Sequence, residues 1–340
     1  MKPDPVQFVE DLYDCNGRDA EWLQRLVHGV IALVPDARNG YCYRIGASEA
    51  GPRIVGAPVA ISLPEGFEAG FRCFVDSYSA SLEASREFRK LHCSPRKVST
   101  ISAELGRGAM ASSPHATFVR AYGSQDAFGC VALDAEGRGI VIAAGLPRIT
   151  RLSRRVRSLW SVLGAHVATA NRMRFRGEPN DECILTPDGR AVHAEGDATA
   201  SGARERLRDA VVKRDRARMR EMRGEPQEAL ALWPAMVSGR WSLMDRFERD
   251  GRRYVVARRN EPLPPGPLAL TLRERQICGH MVQGDSMKLT AYALGLRAST
   301  VSAVARSVLL KLGVRTVSQL AGLDTPRWRG NGRGLQLPNR

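Results

Sequence analysis

Apolar residues recur at helical spacing from Asp19 to Val34. Trp22, Leu26, Val30 and Leu33 share one stripe, and Pro35 ends it. Alternation then predicts strands over Gly40–Ala47 and Val55–Leu63, a helix over about 65–91, a further strand near His115–Tyr122, and a hairpin of Ala127–Asp134 and Arg138–Gly145 turning at Glu136-Gly137. The spacing predicts a long helix over Ile149–Met173. Its residues Leu152, Val156, Leu159, Leu163, His166 and Ala170 alternate steps of four and three. Three heptads are the minimum for a coiled-coil seam, so a helix laid on its own sheet, with His166 an ordinary core-edge residue, is the simpler expectation. Helices framing a run of hairpin strands predict an α+β sensor-type domain over residues 1–177.

A second segment, 178–259, opens with short strands at Glu182–Thr186 and Arg190–Ala194 around Pro187-Asp188-Gly189. An arginine-rich helix is expected over Ala203–Arg223, its charges balanced by local acids and solvent. The next helix starts at Pro226 and ends near Gly239. A hairpin follows, Arg240–Glu248 and Arg252–Arg259, with Asp250-Gly251 at the turn. Trp241, Leu243 and Phe247 are expected on one face, met by Tyr254, Val256 and Trp233.

Residues 260–267 hold four prolines in eight positions, which excludes helix and central strand and predicts a short stiff linker. The separate unit beyond it, 268–324, reads as four helices. Thr271-Leu-Arg-Glu274 is a capping box opening a helix with Ile277, Cys278, Met281 and Val282 inward. Gly284 ends it, Asp285 or Ser286 caps the next helix, and Gly295 permits a tight turn. A third helix begins near Ala298 with Val301, Val304, Val308 and Leu312 on one narrow stripe. Its other face carries Ser299, Ser302, Ala303 and Arg306. A fourth, short helix spans Val317–Leu323, and the tail 325–340 lacks periodicity.

Composition narrows the function. At 340 residues, the chain is long enough for two or three compact units. Its longest apolar stretches, such as Gly139–Leu146, fall far short of the roughly 20 residues of a membrane span, so no membrane partner is expected. Seven scattered cysteines without a CxxC pair fit a reduced, cytoplasmic setting. The net charge of +15 points to a polyanion, most simply nucleic acid. Only six of the 51 bases are lysine, so arginine excess from a GC-rich coding sequence accounts for part of that charge. Location is more telling. Between Leu268 and Leu323 stand seven bases (Arg273, Arg275, Lys288, Arg297, Arg306, Lys311, Arg315) and two acids (Glu274, Asp285), a net +5 on a very small unit. A tight turn between crossed helices, followed by a helix whose free face is small or cationic, fits the DNA major groove.

This segment resembles the LuxR/GerE-type helix-turn-helix of bacterial transcription regulators. The matching residues are Leu270-Thr271, Arg273-Glu274, Ile277, Gly284, Lys288, Ala291, Leu294, Gly295-Leu296, Thr300-Val301, Val308 and Lys311-Leu312-Gly313-Val314. The resemblance implies double-stranded DNA as partner, a homodimer supported by the fourth helix, and a third helix that reads bases. By position it implies Ser302, Ala303 and Arg306 facing bases, with Lys288, Thr300 and Lys311 near phosphates. The sequence departs from the family at four positions. Ser302 replaces a usual lysine, Val304 a usual histidine, Arg297 a frequent capping serine and Thr290 an aliphatic residue. Residues 1–177 look similar to GAF-type sensor domains and 178–259 to a degenerate PAS-type unit. The expected fold class is thus multidomain α+β, with GAF-like and PAS-like regions before an all-α helix-turn-helix. The expected function is transcription regulation by a sensory N-terminal half.

No Walker loop, dinucleotide fingerprint, GxSxG elbow or HExxH occurs, so an enzyme is not expected. His92-Cys93 has no partner pair for a metal. Cys42 reads first as a small core thiol, and less readily as a ligand-pocket or oxidant-sensing residue. An enzyme tethered to DNA and a protein-binding adaptor are the alternatives. Cofactor, effector chemistry and effector-binding residues are not specified by the sequence.

Overall fold

The computed structural model describes residues 4–14, 17–48, 51–80, 87–88, 90–92, 97–135, 137–175, 181–247, 252–260, 270–312 and 314–322. The chain has a mixed α/β N-terminal region with two antiparallel sheets, followed by a helical C-terminal region. Most of the proline-rich segment 260–267, the hairpin turn at 250–251 and the tail 325–340 lie outside the described residues.

The chain opens with a helix the periodicity did not reveal, α1 (Pro5–Tyr13), capped by Asp4, whose carboxylate accepts from the amides of Val6 and Gln7. Helix α2 (Asp19–Leu33) and strands β1 (Asn39–Ser48) and β2 (Gly51–Ile61) fall where expected. After α3 (Phe67–Ala80) come β3 (Val98–Thr100) and the short α4 (Ile101–Leu105). The stretch expected as a strand near His115–Tyr122 is instead α5 (Pro114–Ala121). Ser113 caps it, Pro114 sits in its first turn, and the buried positions His115, Ala116, Phe118 and Val119 have helical spacing. Strands β4 (Asp126–Leu133) and β5 (Gly139–Leu146) complete a five-stranded sheet ordered β2-β1-β5-β4-β3. Helix α6 (Arg154–Phe175) lies on that sheet, burying Trp160, Leu163, His166 and Val167 against it and against α1. Its apolar stripe is therefore occupied within the chain.

The second sheet is ordered β7-β6-β9-β8, from β6 (Asp181–Leu185), β7 (Ala191–Ala194), β8 (Trp241–Phe247) and β9 (Arg253–Arg259). Between β7 and β8 run α7 (Ser201–Ala217), α8 (Arg220–Arg223) and α9 (Pro226–Leu232). Helix α9 stops well short of Gly239. The β8–β9 register pairs Leu243 with Ala257 and Met244 with Val256. Tyr254 and Val256 therefore share the face of Met244 and Arg246, not that of Trp241 and Leu243. Trp233 lies in the core between the first sheet and the helices, and Ala217, Ala229, Leu230 and Met244 join it there. One continuous core thus draws on both sides of residue 178.

The arginines of α7 and α8 are not simply solvated. Arg214 is almost fully buried, donates twice to Asp245 (3.2 and 3.0 Å) and lies over the Trp233 ring. Arg218 pairs with Glu10 at 2.6 Å and Asp245 at 2.8 Å, and Arg223 pairs with Glu10 and Asp4. The acids come from α1 and β8, so these charges tie the N-terminal helix to the second sheet.

Cys42 lies in the core beneath α2, where burial pushes its thiol up to about 12. That leaves it protonated and inert, as a small core residue. The opposite face of the first sheet carries an aromatic cluster of Tyr41, Tyr43, Phe67, Phe71 and Phe118. Beside it, Tyr41, Tyr43, His92 and His115 line a cavity of about 60 Å³.

Burial holds His92 at about 4, His115 at about 3 and His166 at about 3, below the ordinary 6.5. Below pH 6.5 the unfolded chain takes up protons that the folded chain refuses until pH 3–4. Stability is therefore full above that value and falls as pH drops toward 4, by up to about 1.4 kcal/mol per pH unit for each histidine. Urea midpoints should fall from pH 7 to pH 5, a window above carboxylate titration. Equal midpoints would mean that these imidazoles are solvated.

Candidate nucleic-acid interface

The C-terminal region is built from α10 (Leu272–Val282), α11 (Met287–Leu294), α12 (Ala298–Lys311) and α13 (Val317–Gly322). The capping box forms as its residue types require. The Thr271 hydroxyl accepts from the Glu274 amide at 3.3 Å, and Glu274 accepts from the Thr271 amide at 2.8 Å. Glu274 also accepts from Ser307 at 2.9 Å and Lys311 at 2.8 Å, joining the start of α10 to the end of α12. Burial alone would raise the Glu274 carboxyl. The donors Lys311, Thr271 and Ser307 outweigh it and hold the group at about 2.

Ser286 caps α11, accepting from the Leu289 amide. Gly295 ends that helix in the left-handed region at φ 61°. A β-carbon there would lie 1.9 Å from the Met236 carbonyl oxygen, so only glycine fits both the turn and the approach. α11 and α12 then cross at 109°, a helix-turn-helix angle. Ile277, Met281, Leu294, Val301, Val308 and Leu320 fill the core between the helices, and Met236 enters it from the N-terminal region.

Thr290 is fully buried in α11, and its hydroxyl has no hydrogen-bond partner among the described residues. An unmatched buried hydroxyl costs about 1–3 kcal/mol. Thr290→Val keeps the shape and removes the polar atom, so it should raise the urea midpoint. A lower midpoint would show that the hydroxyl has a partner. Arg297, at the start of α12, makes no side-chain capping bond, as its departure from a capping residue suggests.

The outer face of α12 is open. Ala303 and Arg306 are exposed, with Ser302 and Thr300 half-buried beside them. Lys288 is exposed on α11. On α12 the sequence-derived residues thus share one side; Lys288 stands apart from them on α11, one turn before Tyr292, and the Lys311 ammonium is engaged by Glu274. Arg273 donates to the Ser238 carbonyl, and Arg275 is buried. Among the described residues the exposed cations of this region are Lys288, Arg297, Arg306, Lys311 and Arg315, and of these Lys311 is paired with Glu274.

The opposite side, formed by α10 and α11, docks on the N-terminal region. Gln276 donates to the Gly239 carbonyl at 2.8 Å, Gln283 donates to the Asp134 carbonyl, and Lys97 donates to Gln283 at 3.2 Å. At the centre stands a relay that sequence spacing gave no means of finding. His166 Nδ1 meets the Tyr13 hydroxyl at 2.9 Å, and His166 Nε2 meets the Tyr292 hydroxyl at 2.7 Å. The Tyr292 hydroxyl lies 2.9 Å from the carbonyl oxygens of both Leu230 and Trp233. The Tyr13 hydroxyl also lies 3.3 Å from the Ala235 carbonyl oxygen. Burial holds His166 neutral; in that state Tyr292 donates to a carbonyl and accepts from Nε2–H, while Tyr13 donates to Nδ1. Trp233 stacks on Tyr13 at 5.8 Å. The relay joins α1, α6, the end of α9 and α11.

Residues 268–323 match the family described as bacterial regulatory proteins, luxR family (GerE). This segment is a LuxR-type helix-turn-helix domain. No match is found among curated proteins. Among solved structures, the chain is similar to Escherichia coli SdiA, with 10% identity, 92% of each chain covered and a TM-score of 0.30. Among the described residues, no group of three His, Cys, Asp or Glu stands together as a metal site, and no single helix is long and apolar enough to cross a membrane. The LuxR-type domain thus presents α12 outward and holds the N-terminal region with α10 and α11.

Proposed function

We propose that the chain is a sequence-specific DNA-binding transcription regulator whose N-terminal half controls the LuxR-type domain. One observation carries the reading. The face with Ser302, Ala303 and Arg306 is open, while the remainder of the helix pair is anchored to the other half of the chain. Ser302, Ala303 and Arg306 face base edges, and Lys288 and Thr300 approach phosphates. Lys311 reaches a phosphate only by sharing its ammonium with Glu274. Residues 1–177 and 178–259, GAF-like and PAS-like in element order, act as one sensory body because they share a core. A signal that disturbs the Tyr13–His166–Tyr292 relay changes the placement of α12. A small-molecule effector and a homodimer complete the reading.

Salt titration tests it. If each half-site engages roughly four phosphates, a dimer engages about eight, and log K should fall against log salt with a slope near ~−7. A flat dependence would mean that the cationic face does not hold DNA.

A further inference from the structure

A strongly basic stretch lies outside the LuxR-type domain. No acidic residue stands between Glu136 and Glu178, whereas nine arginines do. Some have local uses: Arg148 pairs with Asp36, Arg172 donates to Asn260, and Arg174 pairs with Asp19. Arg151, Arg154, Arg155 and Arg157 differ. All four are exposed, and among the described residues none has an acidic partner. They gather at the N-terminal end of α6, which has no acid in its first turn. Cations there oppose the helix macrodipole, so helix stability does not account for them.

Arg151 and Arg157 line an open groove of about 480 Å³ between the two regions. Lys97 and Ser99 line the same groove from the N-terminal side, and Asp285 and Ser286 from the helix-turn-helix. Asp285 is the acid of this groove, but its carboxylate is mostly buried and is bound by His280 at 2.7 Å. The groove reaches Ser286, the cap of α11, and Leu289 within that helix. Arg151 and Arg157 thus share this groove with the start of α11, the helix that carries exposed Lys288.

We propose that Arg151 and Arg157 form a second, sequence-independent contact to the DNA backbone, carried by the N-terminal half and flanking the helix-turn-helix site. The inference rests on the DNA-binding reading above. An open groove edged by exposed guanidiniums suits a passing phosphodiester chain better than an enclosed small anion. The contact exists only while the two regions are docked, so docking sets the length of DNA engaged.

The test uses the full chain and a site selected from a random pool. One duplex is trimmed to the helix-turn-helix footprint, and the other extends it by about 15 base pairs on each side, more than one helical turn. Salt titrations compare the wild type with the double variants Arg151→Gln/Arg157→Gln and Arg151→Lys/Arg157→Lys, after confirming equal melting temperatures. On the flanked duplex, the glutamine variant should flatten the slope by about 2 for each protomer bound, near 0.9 per lost phosphate contact. The lysine variant should restore it, and on the trimmed duplex all three should coincide. Equal slopes on the flanked duplex would overturn the proposal, as would an equal loss on both duplexes. Stabilisation of the wild type by inorganic phosphate, abolished in the glutamine variant while DNA slopes stay unchanged, would place a small anion there instead and overturn it too. Failure of the wild type to bind either duplex would bring down the DNA-binding reading itself.

Discussion

Gly279→Ala separates the LuxR-type domain from the N-terminal half while leaving its own helices intact. Gly279 lies in α10 against the β4–β5 turn. A β-carbon there would sit 2.4 Å from the Ala135 carbonyl oxygen and 2.9 Å from the Ala135 Cα. Backbone cannot yield as a flexible side chain does, and overpacking of this kind typically costs about 1–3 kcal/mol. Within an isolated helix the same change is favourable by about 0.8–1 kcal/mol, because alanine restricts the unfolded backbone. The substitution thus acts with opposite signs on docking and on the domain. Hydrogen exchange of the full-length variant should show faster exchange at α10 and around Asp134–Ala135, with the core amides of α12 still protected. Unchanged exchange at the seam would mean that the two regions do not pack as described. Loss of protection throughout α10–α13 would mean that the domain depends on docking for its fold.

Arg306→Ala and Lys288→Ala should fail in different ways. Arg306 lies one turn beyond Ser302, exposed and directed away from the buried Val301 and Val308. In the proposed reading its guanidinium takes guanine O6 and N7 together, worth roughly 1–3 kcal/mol of discrimination, or about 5- to 150-fold. Its removal should erase the preference at one or two base positions. In the proposed reading Lys288 sits on the helix that crosses the backbone. Its removal should weaken all sequences about equally and flatten the salt slope by about 1 per lost contact. Competition between single-base variants of a bound site distinguishes the two. If Arg306→Ala weakens every variant equally, Arg306 grips phosphate and does not read bases.

The helix-turn-helix was legible because its signals are local. A capping box spans four residues, Gly295 marks the tight turn by itself, and the stripe of Val301, Val304 and Val308 repeats within one helix. The same locality explains the departures at Thr290 and Arg297, where a buried hydroxyl lacks a partner among the described residues and a helix lacks its side-chain cap. Other features were legible but outweighed. Ser113-Pro114 is a helix start, yet the short apolar run after it resembles a strand. Asp4-Pro5 opens α1 in the same way, with Val6, Val9 and Tyr13 on one stripe.

The docking seam follows from tertiary placement alone. His166 meets a tyrosine 153 positions before it and another 126 positions after it. No periodicity links them. Lys311 shows the same limit within one domain. Its position in the sequence suits a phosphate, but the fold sets Glu274 beside it. The β8–β9 register also depended on more than alternation, since a shift of one residue exchanges the faces of Val255 and Val256.

The central claim is that the outward face of α12 reads DNA sequence. Selection of binding sites by the full chain from a random-sequence duplex pool tests it most directly. The account predicts enrichment of a defined motif whose information at one or two positions is lost with Arg306→Ala. A pool that remains random after repeated rounds, at salt concentrations where the chain still retains DNA, would contradict it.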